Sequence, residues 1–345
     1  MSRALLQSIF LLVPLTLLSG CQSPQRAIFP AVSPPIVWPP APDAPRIRYI
    51  GALHGEADLD IRVKGWQAVR EVVTGPRPMG VFSRPSAVAV KGEVVFVADV
   101  GSGVVHMLDL ELRRYAMLHG SEADPLRVPI DVAIVENDKL AVVDRGRAAV
   151  DLFDLNGGWI RTVRWPEVTA PVAAGWDTAL HTVWLADADA HACFATTDWH
   201  GVSRTIGGRG NAPGQFNFPT GLAVKPDGGL IVTDAMNFRV QVFDDAGEPR
   251  LTFGRKGDAA GDFALPRDVA VDAERHVYVL DNQFENVQIF DDQGRLLMAF
   301  GGGGKGPGEF SLPSGITIDE KDRIWIADSY NQRVQIFQYL AETSP

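Results

Sequence analysis

Six times along this chain an apolar run ends in an aspartate: Asp99, Asp144, Asp187, Asp234, Asp281 and Asp328. A carboxylate at such a place can move a proton, hold a cation or accept hydrogen bonds from backbone amides. Six copies at one position cannot all be catalytic, so they read as acceptors for turn amides or for arginines such as Arg239 and Arg333. Leaving such a group unpaired inside the fold costs ~1–3 kcal/mol. Residues that differ between copies carry more information. Asp131, Arg267 and Asp268 stand at or beside positions where other copies have Ala87, Gly221 and Gly315. Two acids and a guanidinium there could bind a partner or contribute to a metal site. The seven histidines, His54, His106, His119, His181, His191, His200 and His276, fall at non-equivalent positions of the repeat. Zinc needs three ligands converging on one point, and these do not supply them. Cys193 has no disulfide partner and reads as a small buried hydrophobe. No Ser–His–Asp order stands out, and no catalytic residue is assigned.

The elements that position these groups follow from the spacing. Successive aspartates lie 45, 43, 47, 47 and 47 residues apart. Repeats of ~40–50 residues built of short strands mark a radial β-propeller. The fourth unit reads Pro219 to Val224, Leu230 to Asp234 and Asn237 to Asp244. The fifth and sixth repeat it from Pro266 and from Pro313, and the first three, from Pro85, Pro129 and Pro171, are looser. Turns ending in Gly157, Gly247 and Gly294 place glycine where a hairpin needs positive φ. The expectation is an all-β fold: a six-bladed β-propeller over 84–340 with four-stranded antiparallel blades. Too few residues follow Phe337 for a fourth strand in the last blade. Arg46 to Gly55 resembles that strand, so it is expected to close the ring from the N-terminal side. Within the same 46–83 segment, Lys64 to Thr74 puts Trp66, Val69, Val72 and Val73 on one helical face.

Pro-x-Gly followed by an apolar strand, then Asp-x-x-Asn-x-Arg-Val-Gln-x-Phe, resembles the NHL-repeat family. Units four and six carry the pattern in full. Unit five has Phe284 and Asn286 in place of the Asn and Arg, and unit two, reading Asp144-Arg-Gly-Arg-Ala-Ala-Val, has lost both. The resemblance implies that an aspartate at the position of Asp131 and Asp268 is a common feature. It also brings to mind metal-dependent enzymes on this architecture. Amidating lyases use histidines that find no counterpart here. Calcium-dependent lactonases need a cluster to which Asp131 and Asp268 could contribute, although the rest of it is not found. Three loops of one spacing, Gly207 to Phe216, Gly254 to Phe263 and Gly301 to Phe310, could cradle an anion. None opens a helix, and they read instead as inter-blade linkers whose phenylalanines plug between sheets.

Ahead of the repeats, residues 1–20 read as a lipoprotein signal peptide. Arg3 precedes an apolar run, and Leu18-Ser-Gly-Cys21 marks Cys21 as the site of lipid attachment. Gln22 in place of an aspartate favours the outer membrane of a Gram-negative cell, facing the periplasm. The proline-rich stretch 21–45 is expected to be an extended tether of up to roughly 70 Å. The net charge is −10, and the first twenty residues hold one arginine and no acid, so the remainder is more acidic still. That excludes nucleic acid as the main partner. The expected function is a monomeric, lipid-anchored scaffold of the cell envelope that binds a protein or peptide through its loop-rich face, within an envelope or respiratory complex, and needs no cofactor. The alternative is a metal-dependent lactonase or lyase working at the channel mouth, with calcium as its ion.

Overall fold

The computed structural model describes residues 26–61 and 79–340. Six antiparallel sheets follow one another around a ring, and neighbouring inner strands touch all the way round, the sixth against the first. Those inner strands are Pro85–Lys91, Pro129–Val135, Pro171–Asp177, Pro219–Val224, Pro266–Val271 and Gly315–Ile318. Each blade then runs outward through its second, third and outer strands. Beyond a first residue such as Val94, Lys139, Thr182 or Arg323, the second strands are apolar or aromatic up to the closing aspartate or its neighbour, as in Leu230–Asp234 and Val277–Asp281, and are buried. They lie between two neighbouring sheets, so both faces must be apolar and no alternation survives.

Linker phenylalanines fill the gaps between blades. Phe216, Phe263 and Phe310 are fully buried, each contributing about 2–3 kcal/mol by area. The chain reaches them through Gly207, Gly254 and Gly301, whose positive φ and contact with the ring leave no room for a Cβ. The linker reading of the three glycine-rich loops therefore holds.

The ring closes as the missing strand required. Ile47–Leu53 pairs with the last strand, Arg333–Tyr339, as the fourth strand of blade 6. The proline-rich stretch departs from the expected free tether. Val37–Trp38 pairs with Ile47–Leu53 as a fifth strand, and Trp38 packs against Phe300 and Phe337. Further back, Phe29 sits edge-on to Trp325, and Arg113 from the turn before the outer strand of blade 1 holds the Arg26 carbonyl. Apolar residues scattered among the prolines make this stretch a strap: Ile28, Phe29, Val32, Ile36 and Trp38 all join the core clusters. The helix expected over Lys64 to Thr74, and Cys21, lie outside the described residues.

Candidate functional site

The six repeated aspartates are fully buried and organise one end of the ring, the upper face. Asp328 accepts hydrogen bonds from the Ser311 amide, Asn331 Nδ2, Arg333 Nε and Gln335 Nε2. Asp234 does the same with Asn217, Asn237, Arg239 and Gln241. Arg333 then turns its remaining N–H groups to the carbonyls of Lys305, Gly306 and Glu309, pinning the linker that precedes the blade. Asp187 manages with backbone amides, those of Thr169, Ala170, Asp189 and Ala190. In blade 1 His106 replaces the glutamine: its Nε2 lies 3.2 Å from Asp99 and its Nδ1 2.6 Å from the Tyr115 hydroxyl. Burial works against it, but His106 and the Ser83 and Arg84 amides hold the Asp99 carboxyl down at about 2.

Unit two has not lost its arginine's role. Arg147, standing where the pattern has asparagine, reaches Asp144 with Nε and binds Asp151 and Asp124 with its other nitrogens. A long side chain set two residues early covers the same carboxylate, which pattern matching by position misses. Cys193 is buried as expected, and burial pushes its thiol far above the ordinary range. His276, in the turn before the second strand of blade 5, is half-buried. Its Nδ1 is 2.8 Å from Asp272, which also accepts the Tyr278 hydroxyl, and its ring lies against Tyr339.

The inner strands enclose a central channel with a cavity of about 300 Å³, walled by Val88, Ala174, Leu222, Val269, Ile316 and their neighbours. Among the described residues, Asp131 and Asp268 bring the only carboxyls to that wall. They belong to blades 2 and 5, so they stand on opposite sides of a six-membered ring. Asp131 Oδ2 accepts the Ala174 amide of blade 3 at 2.7 Å, and Asp268 Oδ2 accepts the Ile316 amide of blade 6 at 2.9 Å. Each therefore staples its blade to the next. Blades 1, 4 and 6 do this with hydroxyls: Ser86, Thr220 and Ser314 bond to Pro129, Pro266 and Pro85 carbonyls. Gly221 is required beside Asp268, because a Cβ would fall 2.5 Å from its Oδ1. Burial raises Asp131 to about 7; burial and then the Asp131 charge raise Asp268 to about 8.

Arg267 sits one residue nearer the mouth. A β-bulge between Pro266 and Asp268 leaves it out of register with the second strand, and bulges re-aim side chains in this way. Burial pulls its guanidinium below the usual arginine value and Arg145, on the upper turn of blade 2, adds to that; Asp268 and Asp131 oppose it. The three residues singled out at the channel mouth thus do come together. Among the described residues no three of His, Cys, Asp and Glu converge on a point where they could hold a metal.

Around this mouth the upper face divides. On blades 4 and 6, Phe218, Met236 and Tyr330 are 40%, 43% and 62% exposed. Phe284 of blade 5 and Leu312 at the entry to blade 6 are half-buried between them. On blades 1 and 2 the corresponding loops present exposed Arg84, Arg127 and Arg145. The apolar arc was not singled out from the sequence, although two positions could have revealed it. One is the second residue after the repeated aspartate (Met236, Tyr330), and the other is the residue before the proline that opens the unit (Phe218, Leu312).

Comparison with known proteins agrees with this architecture. The NHL-repeat model matches residues 216–243, and a six-bladed β-propeller model matches residues 273–344. The chain is a six-bladed β-propeller carrying NHL-type repeats. No protein of curated function matches it in sequence. Among solved structures it resembles a gluconolactonase from Xanthomonas campestris, 16% identical over 75% of this chain and 87% of that one, with a TM-score of 0.57. Virginiamycin B lyase from Staphylococcus aureus is 12% identical over 75% and 96%, with a TM-score of 0.53. Kuenenia stuttgartiensis hydrazine synthase is 13% identical over 75% and 84%, with a TM-score of 0.55. At such identities the likeness speaks for the fold alone.

Proposed function

We propose that this protein is a lipid-anchored scaffold of the cell envelope that binds a protein or peptide through the upper face of its propeller. The observation that carries the reading is the apolar arc of Phe218, Met236 and Tyr330. These large side chains are held out on rigid turns: Met236 and Tyr330 follow buried aspartates, and their amides bond to Asn217 and Ser311 carbonyls. A fixed scaffold that shows aromatic and methionine side chains to solvent is the usual anatomy of a recognition surface. The repeated carboxylates below are consumed by structural hydrogen bonds, which leaves little there for catalysis.

Attachment through Cys21 suits this arrangement. The described strap begins at Arg26 on the rim, beside Arg113, so four residues separate it from Cys21 and the five steps between them span at most roughly 18 Å. An anchor there would hold the propeller close to the membrane by its edge and leave the upper face unobstructed. It would also raise the local concentration of a membrane-bound partner.

In the native cell, the Met236→Ser, Tyr330→Ser double variant should lose about tenfold or more of whatever co-purifies with the wild-type protein, since truncated aromatic anchors cost ~2 kcal/mol or more. Unchanged recovery of the same partners from a folded variant would overturn the reading.

A further inference from the structure

Arg267 differs from the other enclosed arginines of this chain. Arg147, Arg239 and Arg333 each bind a buried carboxylate and at least one backbone carbonyl. Arg267 makes no hydrogen bond or ion pair with any described residue. It is nonetheless half-buried at the channel mouth, with five N–H donors to satisfy. The two acids nearest to it do not pair with it. Asp131 and Asp268 point an oxygen each at the Ala174 and Ile316 amides instead. Burial raises both carboxyls and so favours their protonated forms near neutrality, that of Asp268 more than that of Asp131. A second cation, Arg145, stands close above, its own contact with Asp189 stretched to 3.9 Å between exposed groups. On a chain of net charge −10, this local excess of arginine marks the mouth as electropositive.

We propose that the channel mouth is a carboxylate-binding site, in which the Arg267 guanidinium takes both oxygens of the ligand and Arg145 supplies a second positive charge. A planar guanidinium matches a planar carboxylate with two parallel hydrogen bonds. The protonated acid on the channel wall can donate a further one. A phosphate dianion would bring a second negative charge beside Asp131 and fits less well. The same chemistry could come from a free organic acid or from an acidic residue or C-terminus of a protein. The site goes beyond the apolar arc and would stand even if the arc had no partner.

Isothermal titration of the purified full-length chain tests it, with succinate, inorganic phosphate, and a short acetylated peptide ending in glutamate or in glutamine amide as probes. Succinate or the glutamate peptide should bind in the millimolar range or tighter, and the glutamine amide should not; whichever binds identifies the source. Arg267→Met should weaken that binding about tenfold or more, as loss of a charge-assisted pair does. Arg48→Met, on the closing strand, should leave it unchanged. Should Arg267→Met fail to fold, Arg267→Lys keeps the charge without the fork and should give intermediate affinity. No heat from either carboxylate at tens of millimolar, phosphate binding tighter than both, or affinity indifferent to Arg267 would each overturn the proposal.

Discussion

Replacing Asp328 with alanine should destabilise the propeller by about 3–5 kcal/mol, the range for breaking a buried ion pair from one side. The carboxylate is fully buried and holds four donors at once, among them Arg333, whose side chain is only 9% exposed. Without it the guanidinium stays inside with carbonyl partners and no counter-charge, and the linker that Arg333 pins loses its anchor. Asp187→Ala should cost less, about 1–3 kcal/mol, because its donors are neutral backbone groups. Chemical unfolding of the two variants side by side checks the difference. Equal losses would mean that the arginine contributes nothing beyond the amides.

The second large effect is on pH dependence. Asp131 and Asp268 have carboxyls raised to about 7 and about 8, whereas an unfolded chain ionises them near 4. Between these values the folded state binds more protons than the unfolded one, so these groups make stability fall as pH rises. Their contribution is complete below about pH 4 and gone above about pH 8. Carboxylates held low, such as Asp99 at about 2, act oppositely and only in acid, outside the window from pH 5.5 to 8.5; the histidines also titrate in that window, so the channel pair is read as the difference between wild type and variant. Unfolding measured across it should show a loss on the order of 2 kcal/mol, allowing for water reaching the channel. In an Asp131→Asn, Asp268→Asn variant the amide oxygens can still accept the Ala174 and Ile316 N–H groups, and the loss across the window should shrink by that amount. A double variant that keeps the wild-type slope would show that other groups set it.

Much of the architecture was legible because a repeat states its own grammar. The six aspartates, the inter-blade phenylalanines and the closing strand each answer a local requirement that recurs or is conspicuously missing once. What the sequence hid depends on reach and direction. Arg147 serves the carboxylate from an unexpected position because its side chain is long enough to do so. The strap reads as a tether because prolines dominate its composition, while its packing rests on a few interspersed residues, chiefly Phe29 and Trp38. At the channel mouth the three residue names were readable. The amides that claim the two acids come from neighbouring blades, 43 and 48 residues away, which no local pattern encodes.

The most direct test of the upper face as a recognition surface is site-specific photocrosslinking in the native envelope. A photoreactive residue would be placed at Tyr330 in one strain and at Leu180, exposed on the opposite end of blade 3, in another. A discrete crosslinked species from position 330 and none from 180 is the expected result. A partner captured only from 180, or equally from both, would contradict it.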